Sequence, residues 1–104
     1  MPSKLERLFG PVAPGSGAQT LCTVPAGKSY VFRNVTLINK NTIDVVVKLG
    51  VNGLTDADLL TPEVLLNSGD FMVVDDLQIM EAGDTLQLNS TSTGITAHGH
   101  GLIV

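Results

Sequence analysis

Apolar and polar residues alternate most regularly in residues 43–51, where every second residue is apolar. Successive side chains of a β-strand point to opposite faces, so this alternation predicts a strand with one buried face. A similar period of two recurs in residues 85–89, where Leu86 and Leu88 are expected to face inward. Both segments follow runs of turn-forming polar residues, which indicates short strands separated by tight turns.

The longest predicted strand, Lys28–Asn39, is rich in β-branched and aromatic residues, which suit a pleated, half-buried surface. The parity of its apolar residues changes between Phe32 and Val35. A β-bulge at Arg33 and Asn34 explains this change, and so does burial of both faces of the strand.

The remaining segments complete an all-β pattern, with a loop over residues 52–62 that can hold a helical turn at Asp56–Leu60. We expect residues 39–42 to be a turn that joins the two longest strands in a hairpin. Further strands are predicted at Gln19–Val24, Glu63–Leu66, Phe71–Val74, Leu77–Met80 and Ile95–Val104. Seven or eight short strands with frequent turns predict an antiparallel β-sandwich or jelly roll.

The N-terminal segment differs from the rest of the chain. Residues 3–9 have the spacing of a capping box and predict one or two helical turns. Residues 10–18 contain two prolines and three glycines, a composition typical of a linker or extended arm. The sequence therefore predicts an arm over residues 1–18 and a β-sandwich domain over residues 19–104.

Composition indicates a surface that meets other proteins. Hydrophobic residues make up 43% of the 104 residues and charged residues only 15%, against about 25% in typical soluble domains. Uncharged surface is tolerated where a partner covers it. Residues 1–40 carry a net charge of +4 and residues 41–104 a net charge of −8. The acidic total, with a pI near 4.8, argues against nucleic-acid binding.

The single cysteine, Cys22, lies in an apolar strand and is expected to be a small buried side chain. One cysteine excludes an intrachain disulfide framework. Neither a signal peptide nor a run of about 18 apolar residues is recognisable, so we expect no membrane partner and synthesis in a reducing compartment.

His98 and His100 are the strongest candidates for chemistry, because residues i and i+2 of a strand point to the same side. Imidazoles bind zinc, copper or nickel, but a structural zinc site needs four ligands. The histidines are therefore weak metal candidates, which need ligands from other copies in an oligomer. Alternatively they face outward, and Gly99 and Gly101 allow close approach of another strand.

No catalytic constellation is recognisable, and the sequence predicts a protein that is not an enzyme and needs no cofactor. The acidic residues near its last turns, Asp75, Asp76, Glu81 and Asp84, suit turn hydrogen bonds better than acid–base catalysis. Tyr30, Phe32 and Phe71 fall in strand patterns and are expected in the core, which leaves no aromatic platform for sugars or nucleic acids.

Several motifs resemble a group of small virion proteins of tailed bacteriophages. Gly10-Pro11 matches the short Gly-Pro arm of that group, and Leu21–Lys28, LCTVPAGK, matches its first turn. Asn39 matches the end of the following strand, and Glu81–Leu86, EAGDTL, matches a turn near the C-terminus. The group has structural roles in decoration, neck or tail positions and is often trimeric, so the resemblance implies no catalytic residues.

The resulting hypothesis is a capsid decoration or cement protein, a homotrimer that binds the major capsid protein on the head surface after synthesis in the host cytoplasm. The arm is expected to contact the partner through Leu5, Leu8, Phe9, Pro11, Val12 and Pro14. Two alternatives stay open. One is a neck, tail or fibre component of the virion, and the other is a small metal- or ligand-binding jelly roll.

Overall fold

A computed structural model describes residues 6–55, 58–75 and 78–104 of the chain. No α-helix occurs in these three ranges. They form nine strands: β1 (Glu6–Val12), β2 (Gly17–Thr23), β3 (Tyr30–Asn39), β4 (Val45–Val51), β5 (Val64–Leu66), β6 (Phe71–Val74), β7 (Gln78–Met80), β8 (Thr85–Ser90) and β9 (Ile95–Ile103). Each of the eight strands predicted from sequence lies within two residues of an observed strand at both ends.

The strands form two antiparallel sheets that enclose one core. Sheet A has the order β1-β9-β3-β6, with β7 also paired to β3, and sheet B has the order β2-β8-β4-β5. The chain crosses between the sheets at most connections, which is the arrangement of a jelly roll. The predicted all-β sandwich is therefore confirmed, with nine strands in place of seven or eight.

The core is formed by the inward faces of both sheets. Leu37, Leu49 and Leu88 have no exposed surface. The other buried apolar residues are Leu21, Val24, Tyr30, Phe32, Val35, Val45, Val47, Leu66, Val74, Met80, Leu86, Ile95 and Ala97. Leu86 and Leu88 face inward as predicted, whereas Phe71, which was expected in the core, is 62% exposed.

A β-bulge in β3 explains the change of apolar parity along that strand. The register of β3 against β9 shifts between Phe32 and Asn34. Tyr30 and Phe32 are buried before the shift, and Val35 and Leu37 are buried after it. The extra residue turns the later half of the strand by one position, so both halves face the core. Of the two explanations that the sequence left open, a β-bulge and burial of both faces, the structure shows the bulge.

The predicted hairpin between β3 and β4 is wrong. β3 pairs with β9, β6 and β7, whereas β4 pairs with β8 and β5 in the other sheet. The fully buried side chain of Asn39 fixes the crossing: its Nδ2 donates to Ile43 O at 3.0 Å and to Leu66 O at 2.9 Å. Its Oδ1 accepts from the Asn41 N–H at 2.9 Å. These bonds satisfy the backbone where the chain leaves sheet A for sheet B.

The helical turn predicted within residues 3–9 is wrong for residues 6–9, which belong to β1. β1 pairs with β9, so its backbone is satisfied by the sheet and its capping-box spacing is not used. Residues 1–5 lie outside the described residues. The Pro/Gly linker predicted over residues 10–18 is shorter in the structure, where residues 13–16 connect β1 and β2. The division of the chain at residue 18 stays a prediction.

The loop between β4 and β5 packs against sheet B. The Leu60 N–H donates to Leu49 O at 2.8 Å, and Leu59 forms an isolated bridge with Gly50. The helical turn predicted at Asp56–Leu60 falls partly on residues 56–57, which lie outside the described residues. Across residues 6–55, 58–75 and 78–104, no helix is long and apolar enough to cross a bilayer.

Candidate functional site

His98 and His100 lie on the outer face of sheet A, in the middle of β9. Both are half-buried, and the residues between and beside them, Ala97, Gly99 and Gly101, are buried. The two imidazole rings are 5.2 Å apart between centroids and nearly perpendicular, at 82°. The predicted common orientation of the two histidines is therefore observed.

The glycines of β9 admit side chains from neighbouring strands on the inner face. A Cβ at Gly99 would collide with Phe9 Cε1 and lie 3.0 Å from Phe32 Cε1. Phe9 packs edge-on against Phe32, with ring centroids 6.1 Å apart. A Cβ at Gly101 would collide with the carbonyl oxygen of Val31. The glycines therefore allow close strand approach, which is the alternative that the sequence left open.

β1 adds a cation to the histidine pair. Arg7 is the Cα partner of His100 in the β1–β9 ladder, so both residues belong to the same face of sheet A. Arg7, Pro11, His98 and His100 line an open depression of about 180 Å³. The Arg7 Nη1 donates to the carbonyl oxygen of Gly10 at 3.3 Å. The site therefore combines one permanent positive charge with two imidazole rings on the same face of the sheet.

Metal binding at the histidine pair has little support within one chain. Among the described ranges, no group of three or more His, Cys, Asp or Glu residues is placed to hold a metal ion. Arg7 also places a positive charge beside the two imidazoles. His98 and His100 alone therefore lack the ligand number of a structural zinc site.

A second candidate surface is an apolar row on the same face of sheet A. Phe71 and Val73 of β6 and Ile79 of β7 are 62%, 49% and 64% exposed. They are register partners of Ile38, Thr36 and Val31, which are the outward, half-buried residues of β3. We call Phe71, Val73 and Ile79 the apolar row.

Sequence reasoning missed the apolar row, because it assigned Phe71 to the core. The run Phe71–Val74 is apolar at every position, so periodicity alone does not tell which residues face outward. The short length of this strand was the feature of the sequence that could have indicated its exposure. A strand of only four residues beside acidic Asp70 and Asp75 is typical of a sheet edge.

The predicted partner-binding residues of the arm occupy different environments. Leu8 and Phe9 are partly buried and pack against the core of their own chain. Pro11 is exposed, Val12 is 36% exposed and Pro14 is half-buried. Leu5 lies outside the described residues. Any partner contact that uses Leu8 or Phe9 therefore competes with packing inside this chain.

The acidic residues near the last turns have structural partners. Asp84 Oδ2 accepts from the Glu81 N–H at 2.9 Å, and Asp84 Oδ1 accepts from Asn52 Nδ2 at 3.0 Å. These bonds, with that from Asn52 as the larger cause, lower the pKa of Asp84. Glu81 accepts from Ser29 Oγ at 2.8 Å, and Asp76 lies outside the described residues. The observed bonds are those of turn residues, as expected from sequence.

Cys22 is half-buried on β2 and packs against the core. Burial raises the pKa of its thiol, so the neutral form is favoured. The pKa of Tyr30 is also raised, first by burial and then by the nearby Cys22 and Glu6 charges. These shifts follow from packing, and neither residue lies beside the histidine pair in the sheet register.

Comparison with known proteins finds the same fold in virus shells. The structure is similar to a protein of the T13 IBDV viral particle, with a TM-score of 0.61, 9% identity, and coverage of 97% of this chain and 30% of that chain. This chain thus spans about a third of that protein. It is also similar to the capsid of the Helicobacter pylori bacteriophage KHP30, with a TM-score of 0.57 and 13% identity over 97% of this chain and 86% of that chain.

A third similar structure comes from the virus-like particle of the Macrobrachium rosenbergii extra small virus. Its TM-score is 0.55, with 13% identity over 98% of this chain and 76% of that chain. No protein-family model and no curated protein matches the sequence. At identities this low, the likeness establishes that the chain shares the jelly-roll fold of viral capsid proteins.

Proposed function

We propose that this chain is a non-enzymatic structural component of a bacteriophage virion, most specifically a decoration protein that binds the outside of the head. Its fold is that of viral capsid proteins, and the bacteriophage KHP30 capsid matches over most of both chains. The turn motifs of residues 21–28 and 81–86 resemble small phage virion proteins. These two observations are independent, because the first concerns topology and the second concerns sequence.

The apolar row is the observation that carries the proposal. Large apolar side chains grouped on one face of a soluble domain are typical of a surface that another protein covers. Phe71, Val73 and Ile79 lie on an edge of sheet A. Within the described ranges β6 and β7 pair only with β3, so a partner can also reach their outer backbone edge. We therefore assign this edge to the contact with the major capsid protein.

Burial of the row supplies a useful but modest affinity for each copy. Complete burial of a Phe, Val or Ile side chain is worth about 1.5–3 kcal/mol, and these residues are already partly covered. Association also costs translational freedom and side-chain entropy. A homotrimer presents three rows to a symmetric lattice, so avidity increases the retention of the protein without new contacts.

The arm has a secondary role in this proposal. Leu8 and Phe9 pack under β9, so they hold β1 on sheet A. Pro11 and Val12 are exposed on β1, and with Leu5 and Pro14 they stay proposed contacts to a neighbouring subunit or to the capsid. In this proposal the arm forms one edge of sheet A through β1, and its exposed residues contact the partner.

The test is the solution mass of the purified protein, followed by mixing with heads that lack it. We expect a trimer that saturates heads at a fixed copy number per capsomer, measured by quantitative gel analysis of sedimented particles. A protein that ignores heads would overturn the decoration role. Binding to isolated necks, tails or fibres in the same assay would then favour those virion positions, which the same exposed edge also permits.

A further inference from the structure

We propose that Arg7, His98 and His100 form a binding site for a small oxyanion of the phosphate class, at the seam between β1 and β9. The three side chains line one open depression together with Pro11. This inference concerns a ligand site and does not rest on the virion proposal.

Arg7 provides the permanent charge of the site. Its side-chain hydrogen bond to the described part of the chain, from Nη1 to the carbonyl oxygen of Gly10, is long at 3.3 Å. A guanidinium carries five N–H donors in a planar fork that matches oxyanions, so this bond does not saturate it. The Gly10 contact also directs the side chain along β1 toward Pro11, which lines the same depression.

The two imidazoles add hydrogen-bond donors to the site. The two ring centroids lie 5.2 Å apart and both side chains line the same depression, so an ion bound there lies close to both rings. Each neutral imidazole donates one N–H bond, and each protonated imidazole donates two and adds a positive charge.

The neighbouring strands bring no carboxylate to the histidines in the ladder register. On β1, Glu6 pairs with Gly101, and its charge acts on Tyr30, whose ring is buried in the core. On β3, the register partners of His98 and His100 are Thr36 and Asn34, which are uncharged. The remaining charged residue of β3, Arg33, is a cation in the bulge.

The same surroundings favour an anion over a cation. Two imidazoles alone hold zinc, nickel or copper weakly, and the described part of the chain supplies no third ligand. The guanidinium of Arg7 repels a metal ion and attracts an oxyanion. The open depression of about 180 Å³ has room for a phosphate ion with a few waters, since about 10–15 Å³ of such volume holds one water.

The experiment is an NMR titration of the histidine ring signals of the full chain with sodium phosphate, at pH 6.0 and constant ionic strength. We expect saturable shifts at both His98 and His100, and binding about tenfold weaker in the Arg7→Gln variant, since charge-assisted bonds are lost. The matched control is Lys48→Gln, which removes the same charge from β4 in sheet B, away from the site, and should leave binding unchanged.

Two further arms identify the source of the oxyanion and test the metal alternative. Sodium acetate at equal ionic strength reports whether a single carboxylate suffices, which would support the site and indicate a partner's acidic side chain. Zinc chloride without phosphate tests the cation. Saturable zinc shifts with no saturable oxyanion shifts would overturn the proposal, and so would equal phosphate binding by wild type and Arg7→Gln.

Discussion

The outer faces of the two sheets differ although both sheets share one core. Sheet A carries Phe71, Val73 and Ile79 outward, each about half exposed or more, on the same face as the histidine pair of β9 and separated from it by β3. The outer face of sheet B is mostly polar: Lys48 pairs with Asn89, and Gln87 pairs with Thr20. Leu65 is the exposed apolar residue of the edge strand β5 in that sheet, at 59%.

The two outer faces also differ in whether their side chains form hydrogen bonds with one another. On sheet B, Gln87 Nε2 donates to Thr20 Oγ1 at 2.9 Å and to Thr85 Oγ1 at 2.8 Å, so these polar groups bond to one another. The side chains of the apolar row on sheet A cannot form hydrogen bonds of this kind. Their exposed surface is stabilised only when another surface buries it. The two outer faces therefore differ in the apolar surface that they expose, and the proposed partner contact rests on this difference.

Gly99→Val is expected to cause the largest change in stability, because it places a side chain where Phe9 packs under sheet A. Overpacking should lower the free energy of unfolding by about 3 kcal/mol and loosen β1, measured by urea denaturation. Phe9→Ala should relieve part of that loss in the double variant.

The control is Gly15→Ala, since a Cβ at that position would have no atom closer than 3.7 Å beyond its chain neighbours. An unaffected Gly99→Val protein would contradict the packing of Phe9.

A smaller loss is expected from Asn39→Ala, at the crossing from sheet A to sheet B. The substitution leaves the Leu66 carbonyl without its amide donor in a buried position, and the Ile43 carbonyl without it in a partly buried one. We expect a loss of about 2 kcal/mol in the free energy of unfolding by urea denaturation. The exposed Asn67→Ala is the control, expected within about 0.5 kcal/mol of wild type. Equal stability of both variants would show that the crossing does not depend on Asn39.

We expect the stability of the protein to depend on pH through Asp84, which directly precedes β8. Its pKa is lowered in the folded state, so its contribution is present above about pH 4, the usual Asp range, and is lost as the pH falls through the lower folded pKa. The difference in Tm between wild type and Asp84→Asn should therefore narrow between pH 5 and pH 2.5. A difference that stays constant over this range would contradict the assignment.

The smallest effect is expected from Gln87→Ala on the polar face of sheet B. It removes two hydrogen bonds to hydroxyls that water can replace, because these groups are accessible. The free energy of unfolding should change by no more than about 0.5 kcal/mol, measured by urea denaturation. A loss above about 1 kcal/mol would mean that these hydrogen bonds stabilise the fold as well as keeping the face polar.

The fold was largely predictable because its strands have short, local signals. Alternation identified the inward positions of β8, and the parity change near Asn34 identified the bulge of β3. The sheet assignment of β3 and β4 was not predictable, because a hairpin and a crossing both begin with a polar turn. The decisive contact is the Asn39 amide, which reaches Leu66 across 27 residues.

The candidate site was predictable only in part. The common orientation of His98 and His100 follows from strand geometry alone. The contribution of Arg7 does not, since residues 3–9 have a capping-box spacing and their pairing with β9 is long-range. The exposed apolar row was hidden because an unbroken apolar run is compatible with burial of either face.

The central claim is that a capsid protein covers the outer face of sheet A, and the most direct test compares matched serine variants in head binding. Phe71→Ser/Ile79→Ser removes two exposed residues of the apolar row, and Leu65→Ser removes an equally exposed residue of sheet B. The account predicts that all variants keep a Tm close to that of wild type, that the double variant loses head binding, and that Leu65→Ser binds normally. Normal binding by the double variant, or loss only in Leu65→Ser, would contradict the account.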